Sequence, residues 1–325
     1  MSSPIHGSYY LQHFSHCLFF IIFSSPFQNK TYLCERKLSD KMERTYAGIP
    51  EEYASYENAK VVVLPVPYDE TSTWVKGADQ GPEAFLEASE NMEIYDLESD
   101  SEVYKQGVWL DDIMDCNKDP ELMAMQVKAK ADKFYEDGKL FTMIGGEHSV
   151  SIGAIMSTVE HFDNLSVLHL DAHSDLRNEY EGTPFSHACA MHWASKHTNL
   201  IQVGIRSMDI SEKKYSKREN VFRAEDIAER TDDWQQEVID KLTDNVYLSI
   251  DLDYFDPSVL PSTGTPEPGV MTWYPPLNLL KKLAKQKKVV GFDIVELAPN
   301  PAEKSSDFLA AKLYFKILTY IFEEL

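Results

Sequence analysis

From Lys60 to the C-terminus, short runs of aliphatic, largely β-branched residues alternate with longer stretches whose apolar positions recur at helical spacing. The runs predict strands at Val61–Pro65, Phe141–Gly145, Ser166–Leu170, Ile201–Ile205, Val246–Ile250 and Val289–Val295. Their near-continuous hydrophobicity is that of strands buried on both faces. Between them, polar residues gathered on one side predict helices at Glu121–Glu136, Ser151–His161, His187–Ser195, Asp233–Leu242 and Leu277–Lys285. The chain closes on FLAAKLYFKILTYIFEEL, whose apolar positions are interrupted by Lys312 and Lys316, the pattern of a packed terminal helix and not of a membrane span. This alternation predicts an α/β fold with a mostly parallel, doubly covered sheet. No repeat or low-complexity tract divides it, and the polar LESDSEVYKQ, Leu97–Gln106, reads as a loop.

The first 41 residues lack this pattern. Their apolar run, Cys17–Phe23, is too short to span a bilayer. No Lys or Arg precedes it and no small-residue cleavage site follows it, so it does not read as a signal peptide. Met42 is expected to open the functional chain. Residues 42–325 would form a single catalytic domain, and residues 1–41 a leader or non-native extension, expected to be disordered.

Charge narrows the partners. The 325 residues carry 31 Lys and Arg against 53 Asp and Glu, a formal net charge of -22. Such a surface repels phosphate backbones and anionic lipid, which argues against nucleic acid and membrane as partners, and it attracts cations. The four cysteines, Cys17, Cys34, Cys116 and Cys189, show no CxxC and no disulfide-like spacing. The composition is that of a reduced, cytoplasmic protein.

In open α/β sheets ligands bind beyond the carboxyl ends of the strands, so the residues that follow each apolar run are the ones to inspect. After FTMIGG come Glu147 and His148; after SVLHL come Asp171, His173 and Asp175; after VYLSI come Asp251 and Asp253; and VVGFDIV runs into Glu296. Alternation along an extended chain directs DAHSD and DLD each toward one side. Four aspartates brought together without countercharge would repel and take up protons, and divalent cations resolve this. Six ligands suggest two cations. Hard carboxylates with two imidazoles and no thiolate favour Mn²⁺ over a structural zinc site, with Fe, Co, Ni or Zn as substitutes. A pair of cations would lower the pKa of a bridging water toward neutrality, which implies metal-assisted hydrolysis.

GGEHS, LDAHSDLR, FSHACAM, SIDLDYFDPS and FDIVELAP, in this order, resemble the ureohydrolase family of arginases and agmatinases. The resemblance spans most of the body from Val61 onward. It implies a three-layer α/β/α fold, a trimer or hexamer, and hydrolysis of a guanidino compound to urea and an amine with two Mn²⁺ per chain. By position it makes His148 and Asp175 ligands of one metal, His173 and Asp253 ligands of the other, and Asp171 and Asp251 bridges. Glu296 matches the residue that orients the guanidinium, a planar cation suited to a carboxylate. His187 matches the proton-transferring histidine, with Ser186 able to cap the following turn. His169, alternating within a strand, is expected to serve packing or a supporting hydrogen bond. Two departures stand out. Glu147 occupies a position where many relatives carry Asp, and PYDETSTWVKGADQGPEAF lacks the Arg residues common in the family's N-terminal loop, so none of that loop is assigned to the site.

LRNEYEGTPFSHACAM looks like agmatinases rather than arginases, and Glu179 and Glu181 would repel a substrate carboxylate. Agmatine, a small cationic guanidino substrate giving putrescine in polyamine biosynthesis, is therefore the leading expectation. Arginine, guanidinobutyrate, guanidinopropionate, guanidine and formiminoglutamate are alternatives. A metal-binding relative without catalysis and a single-metal deacylase are the readings from other classes, and the retention of all six ligands with His187 and Glu296 argues against both.

Overall fold

Four apolar runs remote in sequence become neighbours at the middle of one sheet. The computed structural model describes residues 44–269 and 271–323, so the leader expected at 1–41 lies outside the described residues. The strands are β1 Val61–Val66, β2 Val108–Leu110, β3 Leu140–Gly145, β4 Leu165–Leu170, β5 Asn199–Ile205, β6 Val221–Arg223, β7 Asn245–Asp251 and β8 Lys288–Val295. They form a parallel sheet in the order β2-β1-β3-β8-β7-β4-β5-β6. The chain lays down one flank with β1 to β3 and starts the other at β4. It walks outward to β6 and then returns to fill the gap with β7 and β8. Register aligns Ile144 with Ile294, Ile294 with Ile250, and Ile250 with Leu170. This single row brings the segments that begin at Gly145, Val295, Asp251 and Asp171 to one edge of the sheet.

The helices are α1 Gly81–Ser89, α2 Pro120–Glu136, α3 Ser151–His161, α4 His192–His197, α5 Ala224–Ala228, α6 Trp234–Lys241, α7 Tyr274–Gln286 and α8 Ser305–Glu323. Alternate strand residues face two separate cores, which makes the architecture a three-layer α/β/α sandwich. Val61, Val63, Leu168, Leu248 and Phe292 pack with α1 and α5 to α8. Val62, Leu64, Phe141, Val167 and Tyr247 pack with α2, α3 and α4. Local signals start the helices where such signals exist. Asp119 accepts from the Leu122 amide ahead of Pro120 in α2, and Asp233 caps α6 in the same manner.

The six expected strands are present, each extended by one or two residues. The edge strands β2 and β6 had no sequence signal because three residues are too few to set a period. The expected helix His187–Ser195 is instead two elements, a 3₁₀ turn at His187–Cys189 and α4. Between them the Met191 amide bonds Asp175 O at 3.0 Å, which ties the break to the site. Lys316, on the buried face of α8, pairs with Asp96 at 2.8 Å and Glu98 at 2.7 Å. Among the described residues no helix is long and apolar enough to cross a membrane.

Candidate active site

The edge reached by the aligned row is built by close backbone approaches. The Gly146 amide bonds Val66 O at 2.8 Å, the Glu147 amide bonds Tyr68 O at 2.8 Å, and the Glu296 amide bonds Gly146 O at 2.7 Å. A Cβ at Gly146 would lie 2.0 Å from Tyr68 O, so only glycine permits β3, the loop after β1 and the end of β8 to meet here. Asp175 and Glu296 both adopt left-handed backbone, with φ of 52° and 67°. Two non-glycine residues in that region at one pocket mark locally strained chain that the surrounding bonds hold in place.

The six expected ligands come together at this edge. His148 Nδ1 is buried and faces three carboxylate oxygens, with Asp175 Oδ2 at 3.2 Å and Asp171 Oδ2 and Asp251 Oδ2 each at 3.3 Å. Beside this group, His173 Nδ1 lies 2.8 Å from Asp253 Oδ2 and 3.7 Å from Asp171 Oδ1. Asp171 thus belongs to both groups. The ligand atoms of His148, Asp171 and Asp175, with His169 beside them, lie within 4.8 Å of one another, as do those of Asp171, His173 and Asp253, and Asp251 joins the first set through His148.

Hydrogen bonds behind these side chains fix what they present. His148 Nε2 reaches Ser249 Oγ at 3.0 Å, Ser249 donates to Asp293 Oδ1 at 2.8 Å, and Tyr247 donates to Asp293 Oδ2 at 2.7 Å. Because the serine proton goes to the carboxylate, Ser249 accepts from the ring, so the imidazole proton is on Nε2 and Nδ1 bears a lone pair. That lone pair faces three carboxylates. Neither His148 Nδ1 nor Asp171 Oδ2 has a hydrogen-bond partner, although both are buried. An electron-rich nitrogen among electron-rich oxygens is stable only with a cation or a proton between them. Burial opposes a proton on His148, but Asp171, Asp175 and Asp251 override this and raise the imidazole well above its ordinary range, so the residues fit a metal in the proton's place.

His169 differs. Gln202 Nε2 donates to Ser174 O at 2.8 Å, which fixes its amide, and also lies 3.0 Å from His169 Nδ1. Nδ1 therefore accepts, and His169 Nε2 carries the proton 2.7 Å from Asp171 Oδ2, off the line of a hydrogen bond. The ring presents a donor to Asp171 and no lone pair for a cation.

The charges show the same want of countercharge. Burial, and then the negative Asp253 and Asp171, push the Asp251 carboxyl well above its ordinary range. Burial opposes a proton on His173, but Asp253 beside it overrides this and raises the imidazole to about 11. Protons here occupy the place of cations.

Next to the cluster opens a cavity of about 300 Å³ whose wall includes His173, Asp175, His187 and Glu296. Glu296 Oε1 accepts from the His148 amide at 2.7 Å. Burial first, then the charge of Glu147, raises its carboxyl well above the ordinary range. Thr73 also lines the cavity, from the loop after β1. The acidic wall comes from Asp209 and Glu212 in place of the expected Glu179 and Glu181. Arg177 Nε lies 3.3 Å from Glu212, its Nη2 lies 3.8 Å from Asp209, and its guanidinium stacks over Tyr180 at 4.6 Å.

Comparison with known proteins decides the family. Residues 59–319 match the Arginase family model. The chain belongs to the arginase family. It is a metal-dependent amidinohydrolase of that family. The chain is 38% identical over 284 residues, 83% of its length and 92% of the relative's, to the N(1)-aminopropylagmatine ureohydrolase of a Synechocystis strain. To the agmatinase of Halalkalibacterium halodurans it is 32% identical, covering 78% of this chain and 89% of that one. Among solved structures, agmatine ureohydrolase of Thermoplasma volcanium superposes with a TM-score of 0.75 at 29% identity, over 83% of this chain and 92% of that one.

This arginase-family chain also holds site groups that its sequence left unsigned. Asp293 and Ser249 sit within apolar strands, where a polar residue on a doubly covered strand was the available signal. Arg206 reaches Asp253 O at 2.8 Å and Glu267 O at 2.9 Å, fastening the chain after β7 through carbonyls that no motif marks.

Proposed function

We propose that the protein uses two Mn²⁺ per chain to hydrolyse the guanidino group of agmatine, releasing urea and putrescine. The observation that carries this reading is the unbonded His148 Nδ1 among Asp171, Asp175 and Asp251, beside His173 and Asp253 and opening on the cavity of Glu296 and His187.

In this reading His148 with Asp175 holds one cation, His173 with Asp253 the other, and Asp171 and Asp251 serve both. Bound there, the cations supply a water acidic enough to deliver hydroxide near neutral pH. Glu296 orients the guanidinium, since one of its oxygens is committed to the His148 amide and the other is left for the planar cation. His187 on the cavity wall passes a proton to the departing amine nitrogen. Asp209 and Glu212, with Arg177 between them offsetting one of the two charges, leave the cavity a net negative wall that favours an amine at the far end of the substrate over a carboxylate.

A second reading is favoured by the relatives named N(1)-aminopropylagmatine ureohydrolase, at 38% and 35% identity. Under it the substrate carries an added aminopropyl group and the product is a triamine. The same proposal takes residues 42–325 as the catalytic domain, a homo-oligomer of three or six chains, and residence in a reducing cytoplasm, where Cys116 and Cys189 stay free thiols as they are here.

The test is urea release by the Mn²⁺-loaded full chain from agmatine, N(1)-aminopropylagmatine, arginine, guanidinobutyrate and guanidine, beside Asp251→Asn. Release from agmatine that is lost in the variant is expected. Preference for the aminopropyl compound selects the second reading, and cleavage of arginine alone overturns both.

A further inference from the structure

We infer that Thr71, anchored by Glu147, is a positioning residue for His187: its hydroxyl holds the proton on His187 Nδ1 and so leaves Nε2 as the nitrogen that exchanges protons in the cavity. The inference rests on the reading of His187 given above and assigns a task to a loop that no motif linked to the chemistry.

The hydrogen-bond inventory around Thr71 closes in one way. Glu147 is fully buried and receives four donors, the amides of Thr71 at 2.7 Å and Ser72 at 2.6 Å on Oε2, and the hydroxyls of Thr71 and Ser149, both at 2.6 Å, on Oε1. The Thr71 hydroxyl donates its single proton to Glu147 Oε1. Thr71 Oγ1 is then an acceptor for its remaining partners. One is the His187 amide at 3.0 Å, and the other is His187 Nδ1 at 3.2 Å. An acceptor facing Nδ1 requires the proton there. Ser186 Oγ, at 3.3 Å from the same nitrogen, can accept as well. The ring edge packs against Tyr180, with centroids 5.8 Å apart and planes at 85°, which limits its rotation.

The arrangement has the form of a histidine held in one tautomer by a buried acid, here through an intervening hydroxyl. With Nδ1 occupied, Nε2 accepts a proton from the cavity and returns it without any rearrangement of the ring. The loop is fixed independently. Asp69 Oδ2 receives the Gly77 amide at 2.6 Å, and the Thr71 and Ser72 amides bind Glu147 whatever the side chain at position 71. Replacing Thr71 by valine therefore removes the hydroxyl while the loop keeps its backbone anchors and the side chain keeps its branched shape.

The experiment is a double-mutant cycle on the Mn²⁺-loaded full chain with Thr71→Val, His187→Ala and the pair, read as kcat and KM for the best substrate. Thr71→Val is expected to lower kcat about 10- to 100-fold, the usual cost of removing an orienting partner, with KM changed less than about threefold. Thr71→Ser should restore most of the rate. In the His187→Ala background the valine should cost nothing further. A second readout is the ¹⁵N resonance of the His187 ring, expected to show Nδ1 protonated in the parent and mixed protonation in Thr71→Val. An equal loss from Thr71→Val in both backgrounds, or an unchanged ring resonance, overturns the inference. An undiminished kcat in His187→Ala overturns the reading of His187 beneath it.

Discussion

Ser249→Ala tests whether His148 is held as a metal ligand from behind. The change removes one hydroxyl from a fully buried position and breaks two bonds, His148 Nε2 to Ser249 at 3.0 Å and Ser249 to Asp293 at 2.8 Å. Without an acceptor at Nε2 the imidazole proton is free to move to Nδ1, the nitrogen that faces Asp171, Asp175 and Asp251. Loss of such an orienting bond costs about 10- to 100-fold in metal affinity, or about 1.4 to 2.8 kcal/mol. Asp293 Oδ1 also loses a donor in a buried place, which lowers the stability of the metal-free fold by about 1 to 3 kcal/mol. The two effects separate experimentally. Mn²⁺ affinity is read by competition with a chelator, and the metal-free unfolding midpoint by thermal denaturation. Affinity within twofold of the parent, in a variant that unfolds earlier, would refute the orienting role and leave Ser249 a structural residue only.

Acidity of the site gives a second outcome. His173 holds its proton up to about 11 because of Asp253, so cations must displace protons. Loading is expected to release protons, and apparent affinity to keep rising as pH increases toward about 11; affinity independent of pH would contradict this. In α8, Lys316→Met leaves Asp96 buried without its cation and is expected to cost about 3 kcal/mol of stability, read by denaturant titration. Glu98, held down at about 2 by Lys281 and Lys316 from an ordinary 4.5, contributes stability present above about pH 4.5 and lost as pH falls through about 2. That acid-side loss should be shallower in Lys316→Met, and an identical profile would show that the pairing is idle.

What the sequence made legible follows from length and period. The central strands announce themselves because burial on both faces demands unbroken apolar runs, and the aspartates and histidines proposed as metal ligands are visible as the polar residues that end those runs. The edges were silent because β2 and β6 are too short to repeat. The cross-links were silent for another reason. Thr71 meets His187 across 116 positions and Ser249 meets His148 across 101, and no local pattern encodes such pairs. Glu147 was noticed only as a departure from a familiar motif, whereas its longer side chain is what collects the loop amides at Thr71 and Ser72. The misplaced acidic wall has a similar origin. Glu179 and Glu181 are close to DAHSD in sequence, but Asp209 and Glu212 reach the cavity through the neighbouring strand β5.

The most direct measurement is a stoichiometric Mn²⁺ titration of chelator-stripped protein, with bound metal by elemental analysis and urea release from agmatine followed on the same samples. Activity that climbs to a plateau at two ions per chain is the expected result. A plateau at one ion, or full activity in the stripped protein, would contradict a two-metal hydrolytic site at these strand ends.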